Sequence, residues 1–257
     1  MPAPIALQLY TVREDIKKDL EGTIIKVAEM GYIGAESYGG LDAEAVKKVA
    51  DSVGLQIMSS HVSPPVGDKK NAVLEMAQIY GIDNIVLPSV PRDKFTSREG
   101  ITELIAMVNE AYDNANAAGL KLGYHNHSFE FDRFEDGTCG FDILMKEFAP
   151  EMQFQVDVFW VKVGRRDPLR LIQSLKGHVT QLHLKDLNGS IELPEKVEGW
   201  WSLKEETFEE LGDGIIPMEP ILEAAARAGV SICHVEQDLS PDPMASIRRS
   251  LAYLRSL

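Results

Sequence analysis

Short runs rich in Ile, Val and Leu alternate with longer amphipathic stretches from one end of the chain to the other, and this alternation narrows the fold more than any other feature. The apolar runs begin near Ile5, Ile33, Leu55, Asn84, Leu120, Phe154, Val179 and Val230, giving eight candidate strands. Between them, Leu20, Ile24, Val27 and Ala28 recur at helical spacing, as do Ile101, Leu104, Ile105, Val108 and Tyr112, so each stretch carries an apolar stripe that can cover a sheet. Gly31, Gly54, Gly81, Gly119 and Gly229 follow such stretches, where a left-handed cap costs glycine little, and a strand candidate begins soon after each. Eight βα units in 257 residues fit an α/β fold of the closed (β/α)8 TIM barrel type. The competing topology, a doubly wound open sheet, would usually carry a glycine-rich phosphate fingerprint after its first strand, and Leu7-Gln8-Leu9-Tyr10-Thr11 contains none. No linker divides the chain, so residues 1–257 read as one domain. The longest connection, about 187–217, contains Trp200, Trp201 and Gly212-Asp213-Gly214. It is long enough to be a lid over the barrel mouth or a surface excursion with its own small core.

Composition limits what such a fold can do. At 257 residues a compact chain buries roughly three quarters of the surface it would expose unfolded, so its core needs no disulfide. Cys139 and Cys233 stand far apart and form no C-x-x-C pair, which fits two packed thiols in a reducing compartment. A net charge of -14, from 26 Lys and Arg against 40 Asp and Glu, argues against nucleic-acid and anionic-membrane partners, whose phosphates require clustered cations. No run of about 18 uncharged apolar residues occurs, and Met1-Pro2-Ala3-Pro4 lacks the basic start of a secretory leader, so the sequence points to the cytoplasm.

In a barrel the chemistry sits where the strands end. Here those ends carry Glu36, His61, His125-Asn126-His127, Asp157, His183-Leu184-Lys185-Asp186 and Glu236, which takes in four of the six histidines. Singly, each has an ordinary reading: a His after a strand is commonly a hydrogen-bonded rim residue, and a Glu there a helix cap. Together, His125, Asp157, His183 and Glu236 lie one βα unit apart on the last four strands, so closure aims them at a common point. Two imidazoles and two carboxylates converging in a partly buried cleft need a cation. Mixed N and O donors suit Mn2+, Co2+, Fe2+ or Zn2+, and admit Mg2+, better than they suit Ca2+ with its all-oxygen shell. Strand alternation turns His125 and His127 the same way, groups Gln181, His183 and Lys185, and groups His234, Glu236 and Asp238. Lys185 could face a developing oxyanion or pair with a rim carboxylate such as Asp186. Trp160 could wall a sugar face or pack beneath the following helix.

These residues resemble the xylose-isomerase-like barrel superfamily, and within it the sugar phosphate isomerase/epimerase branch. The resemblance runs the full length, through Gln8-Leu9-Tyr10-Thr11, Gly34-Ala35-Glu36, Ser60-His61, Gly123-Tyr124-His125-Asn126-His127-Ser128-Phe129-Glu130-Phe131, Asp157-Val158-Phe159-Trp160, His183-Leu184-Lys185-Asp186 and Val235-Glu236-Gln237-Asp238. It implies one divalent ion, often manganese, held by residues of strands five to eight, and chemistry on a ketose or keto-polyol. The chain departs from the family's ketose epimerases in two places. Those enzymes end strands five and eight with glutamates that serve as ligands and as acid/base pair, whereas His125 holds the strand-five position here. Trp160 stands where they usually carry His. The His-Asn-His arrangement is closer to relatives similar to inosose dehydratases and 3-keto-glycoside lyases, and it leaves His125, His127 or Glu130 open as the strand-five ligand.

The resulting expectation is a divalent-metal-dependent sugar isomerase or epimerase that removes a proton next to a carbonyl, with β-elimination on a 3-keto-glycoside or inosose as the alternative. The ion serves as a Lewis acid. His127 is the first candidate base, since an ordinary imidazole titrates near neutrality, and Glu236 is the second. Lys185 stabilises an oxyanion or protonates a leaving group. Gln8, Glu36, His61, Trp160 and Glu130 are expected to contact the substrate, a small sugar for which no clear phosphate cradle exists. A homo-oligomer is compatible with the sequence. The rivals from other classes are a noncatalytic sugar-binding subunit and an endonuclease IV-like DNA repair enzyme; several zinc ions and retention on heparin would mark the latter, against which the acidic charge weighs. Replacing His183 or Asp157 by alanine is expected to remove metal and leave the barrel folded, both being expected at the mouth, outside the packed layers.

Overall fold

The computed structural model describes residues 3–257; Met1 and Pro2, at the start of the segment read for a leader, lie outside the described residues. The strands are β1 (Ile5–Gln8), β2 (Gly34–Tyr38), β3 (Gln56–His61), β4 (Asn84–Leu87), β5 (Lys121–His125), β6 (Gln153–Asp157), β7 (Val179–Leu184) and β8 (Ile232–Val235). Each begins within two residues of the apolar run that predicts it. They close in the order β1-β8-β7-β6-β5-β4-β3-β2, every neighbouring pair parallel. The open sheet is excluded because β1 pairs with both β2 and β8.

Helices follow each strand and cover the barrel from outside. The helix Arg98–Ala117 shows the local cause. Ile101, Leu104, Val108, Ala111 and Ala115 fall on one face and are buried, while Ser97 caps the helix by accepting the N–H of Gly100 at 3.0 Å. Burying a Leu or Ile side chain stabilises by about 1.5–3 kcal/mol, and such a cap by about 1 kcal/mol. The five glycines expected after helices all have positive φ, between 68° and 95°. At Gly31 the need is double, because a Cβ would also meet the guanidinium of Arg255, which donates to the carbonyls of Met30 and Gly31.

Outward positions such as Leu182, Leu184, Val156 and Val235 are apolar and buried, whereas Gln8, Glu36, Ser59, His61, Gln155, Gln181, His183 and His234 are buried polar residues of the strands. Barrels of this class usually fill the interior with branched apolar layers. Here Glu36 on β2 is hydrogen-bonded to Gln155 on β6 and His183 on β7, contacts that non-adjacent strands can make only through the lumen. Polar side chains therefore pack the centre of the molecule, and they remain stable there because they satisfy one another.

After β7 the chain leaves the barrel. Asp186–Leu187 pairs antiparallel with Phe208–Glu209, and the 3-10 turns Trp200–Ser202 and Glu205–Thr207 lie between them. Asp186 anchors the return: its Oδ2 accepts the N–H groups of Gly212 at 3.0 Å and Gly214 at 3.2 Å, and its Oδ1 those of Leu187 and Ile216, both at 2.9 Å. Cys139 and Cys233 are both buried and unpaired. Among the described residues no helix is long and apolar enough to cross a membrane.

Candidate metal centre

Strand register brings the ligating residues together. Asp157 pairs with His183 across β6 and β7, and the next ladder continues to Glu236, whose N–H donates to the Leu184 carbonyl at 3.1 Å. Asp157, His183 and Glu236 offer ligand atoms all within 4.8 Å of one another. His125 sits beside this trio, its Nε2 3.8 Å from Asp157 Oδ2. A second group of equal compactness joins His125 and His183 to His61. The groups differ in what already fills them. In the all-histidine group, Gln155 Oε1 lies 2.7 Å from His61 Nε2 and 2.9 Å from His125 Nδ1, so an amide oxygen serves those rings. In the mixed group, Asp157 Oδ2 is buried and accepts no hydrogen bond, and the ammonium of Lys185 stands 3.1 Å away. That one ammonium is shared among Asp157, Glu236 and Asp238, so the three buried carboxylates are only partly compensated and a further cation lowers the cost.

The charges agree. Glu36, Asp157, Glu236 and Asp238 are four buried carboxylates, with Lys185 as the buried ammonium among them. Lys185 Nζ lies 2.8 Å from both Glu236 Oε2 and Asp238 Oδ2, and its partner is therefore not Asp186. Burial would lower this lysine, but Asp157, Asp238 and Glu236 outweigh burial and hold it well above its ordinary value. Burial likewise opposes the charge on His183, yet Glu236 and Glu36 raise it to about 10, with Nδ1 and Nε2 each 2.6 Å from a carboxylate oxygen. Burial raises Asp157 and takes Asp238 to about 6, so even with His183 positive four carboxylates face two cations once these two are ionised. That imbalance, with mixed N and O donors, fits a divalent ion.

The other residues expected in the site divide sharply. The half-buried His127 ring lies 5.2 Å from His125 and 5.3 Å from Trp160, and its Nδ1 has no hydrogen-bond partner. Burial and then the Lys185 ammonium pull it down to about 3, which corrects the expectation of an imidazole poised near neutrality. Trp160 is packed away at 1% exposure, with its ring facing Lys185 Nζ at 5.6 Å and its Nε1 unpartnered. Three expected substrate contacts point elsewhere. Gln8 donates to Glu36 at 2.7 Å and accepts from Tyr10 N–H; Glu36 is wholly buried; His61 faces Gln155 and Glu36. Their polar atoms engage one another because the lumen would otherwise leave them unsatisfied. Glu130 is turned to the Tyr124 hydroxyl and the His127 N–H, all at 3.0 Å, and burial raises its carboxyl to about 7.

The family model of the xylose isomerase-like TIM barrel matches residues 24–257. The chain belongs to that family. Among solved structures, a sugar phosphate isomerase/epimerase from Parabacteroides distasonis ATCC 8503 is similar at a TM-score of 0.82 and 24% identity, over 99% of this chain and 98% of that one. The probable 3-DHS dehydratase AsbF of Bacillus anthracis follows with a TM-score of 0.76 and 12% identity, over 98% of both chains. D-allulose 3-epimerase from Methylomonas sp. gives 0.68 and 12%, over 99% of this chain and 98% of that one. At these identities the likeness concerns the fold. No curated protein matches the chain.

Within this xylose isomerase-like barrel, sequence reasoning overlooked Gln155 and Ser59 altogether. Gln155 was findable: it precedes Asp157 by two residues and so shares its face of β6. Asp238 and Gln181 were placed on the inward face without a partner, and they turn out to bond Lys185 and the pair Gln155 and His234. Cavities of about 450, 550 and 300 Å3 open beside Gln237, Arg165 and Ser128, and none of these is lined by Asp157, His183 or Glu236.

Proposed function

We propose that the chain is a divalent-metal-dependent enzyme of sugar isomerase/epimerase type, which removes a proton next to the carbonyl of a ketose or keto-sugar. The observation that carries this reading is the convergence of Asp157, His183 and Glu236, whose ligand atoms lie within 4.8 Å of one another at the catalytic end of the barrel. Those three residues, with His125 beside them, would hold one ion, manganese first among Mn2+, Co2+, Fe2+, Zn2+ and Mg2+. When bound, the ion supplies a Lewis acid toward the carbonyl.

The remaining work falls to the chain. His127 is the first candidate base on position, its buried Nδ1 being unpartnered beside His125 and Trp160; burial and Lys185 lower it to about 3, which keeps the ring neutral and makes it a weak base in the ion-free protein. Glu236 is less suited, because its Oε2 already meets His183 and Lys185 and both hold it below the usual carboxylate range against burial. Lys185 presents N–H to developing oxygen charge or to a leaving group. The Trp160 Nε1 offers a donor to a substrate oxygen, since a buried N–H without an acceptor is costly. The segment 187–217 serves as a lid, Trp200 resting 5.1 Å from the Arg13 guanidinium, which donates to the Asp238 carbonyl. Entry of substrate then requires this segment to shift. We place the whole as a single-domain cytoplasmic enzyme acting on a small sugar.

A second reading, β-elimination on a 3-keto-glycoside or inosose, is favoured by one feature. His125 at the end of β5 withholds one of the two carboxylates that a two-base epimerisation uses, while Lys185 and His127 both border Trp160 as acid and base. The test is a metal count together with a screen of ketoses, inososes and 3-keto-glycosides in D2O with Mn2+, following product and deuterium uptake. One ion per chain with exchange is expected. Exchange with a shortened or dehydrated product selects the lyase; sugar binding without exchange selects a noncatalytic subunit; several zinc ions with heparin retention select the nuclease.

A further inference from the structure

We propose that Glu36 and Gln155, neither of them a ligand, set opposite tautomers in the two histidines of the centre, so that His183 meets a divalent ion through Nδ1 and His125 through Nε2. This rests on the metal-dependent reading above. Glu36 is wholly buried and ringed by donors. Gln8 Nε2 at 2.7 Å and His183 Nε2 at 2.6 Å reach its Oε1, while Ser59 Oγ at 2.6 Å and Gln155 Nε2 at 2.8 Å reach its Oε2. An ionised carboxylate can only accept. Both nitrogens of His183 face a carboxylate at 2.6 Å and both carry hydrogen without an ion; Glu36 is not a ligand and keeps the hydrogen on Nε2, so Nδ1, beside the ligand Glu236, is the nitrogen that gives up its hydrogen to an ion.

The same carboxylate decides how the Gln155 amide points. Its NH2 faces Glu36 Oε2 and, at 2.9 Å, Gln181 Oε1; the reversed amide would press its oxygen against the carboxylate. The Gln155 oxygen is thereby directed to His61 Nε2 at 2.7 Å and His125 Nδ1 at 2.9 Å, and it accepts from both. With its hydrogen on Nδ1, His125 offers Nε2, 3.8 Å from Asp157 Oδ2. One buried anion thus orients two rings, one directly and one through an amide. Glu36 and Gln155 are positioning residues, and the lumen is polar because it holds this support.

Long-range 1H–15N spectra of the histidine rings in the Zn2+-loaded protein provide the direct test. His183 is expected to carry hydrogen on Nε2 alone and His125 on Nδ1 alone; matching or reversed tautomers would overturn the inference, and this measurement needs no variant to fold. In chelator competition, Glu36→Gln and Gln155→Leu are each expected to weaken Zn2+ binding by about 10–100-fold. Folded Glu36→Gln and Gln155→Leu proteins with unchanged affinity would refute the inference alone. A wild type that binds no Zn2+, Mn2+ or Co2+ would refute the metal reading and this inference with it.

Discussion

His183 lies between two carboxylates at 2.6 Å on either side and is wholly buried, not exposed at the mouth as its place after a strand suggested. Truncating it leaves Glu36 and Glu236 without their shared partner, and breaking a buried charge pair costs about 3–5 kcal/mol. His183→Ala is therefore expected to lower the urea midpoint of the metal-free protein as well as abolish ion binding. Asp157→Asn keeps the acceptor for the Trp160 N–H but gives up the charge facing Lys185, so it is expected to lose ion binding and to lower the midpoint by less than His183→Ala, because Glu236 and Asp238 still hold the ammonium. Glu130 gives the pH dependence. Its ordinary value is 4.5 and its folded value about 7, so the native state retains a proton that the unfolded chain has lost. That contribution is fully present below the ordinary value, declines as pH rises, and is gone above about 7. The difference between the two values corresponds to about 3 kcal/mol. Wild type should lose this much relative to Glu130→Gln between about pH 4 and pH 8 in paired urea titrations; parallel curves would disprove the assignment.

At the scale of elements, the excursion after β7 depends on Asp186, which satisfies four backbone N–H groups at 2.9–3.2 Å. Removing the carboxylate leaves those donors partly unmet, at roughly 1–3 kcal/mol for each one that water cannot reach. In Asp186→Ala, amide exchange should accelerate over residues 211–216 while β6 and β7 keep their protection. Gly214→Ala should behave the same way, because the new Cβ would clash with Asp186 Oδ1 and lie 2.6 Å from the Leu187 carbonyl. Equal exchange in variant and wild type would mean that the segment is held by its apolar side chains instead. The strands and their starts were legible from apolar runs and glycine stops, since both are local properties. The pairing of Asp186 with the returning loop was not, because it joins residues up to 30 positions apart and no periodicity marks it.

Across the whole molecule, ion binding and folding should be linked. An ion that binds only the native state adds about 2.7 kcal/mol at about 100 times its Kd. With roughly 2–4 °C per kcal/mol for a chain of this size, Mn2+ or Co2+ should raise the melting temperature by about 5–10 °C, and a chelator should reverse it. Calorimetry with and without the ion measures this, and an unchanged transition would count against the centre.

The order of apolar runs gave the eight strands and favoured the barrel, and period-two alternation placed His125, His183 and Glu236 on inward positions, because both follow from backbone geometry that neighbouring residues share. Closure itself was decided by the pairing of β1 with β8. Which polar groups would meet was settled only by tertiary structure. Glu36 and His61 looked available to a substrate until closure set Glu36 against Gln155, 119 positions away, and against His183, 147 positions away. Such contacts depend on distances across the lumen, and periodicity along the chain carries no record of them.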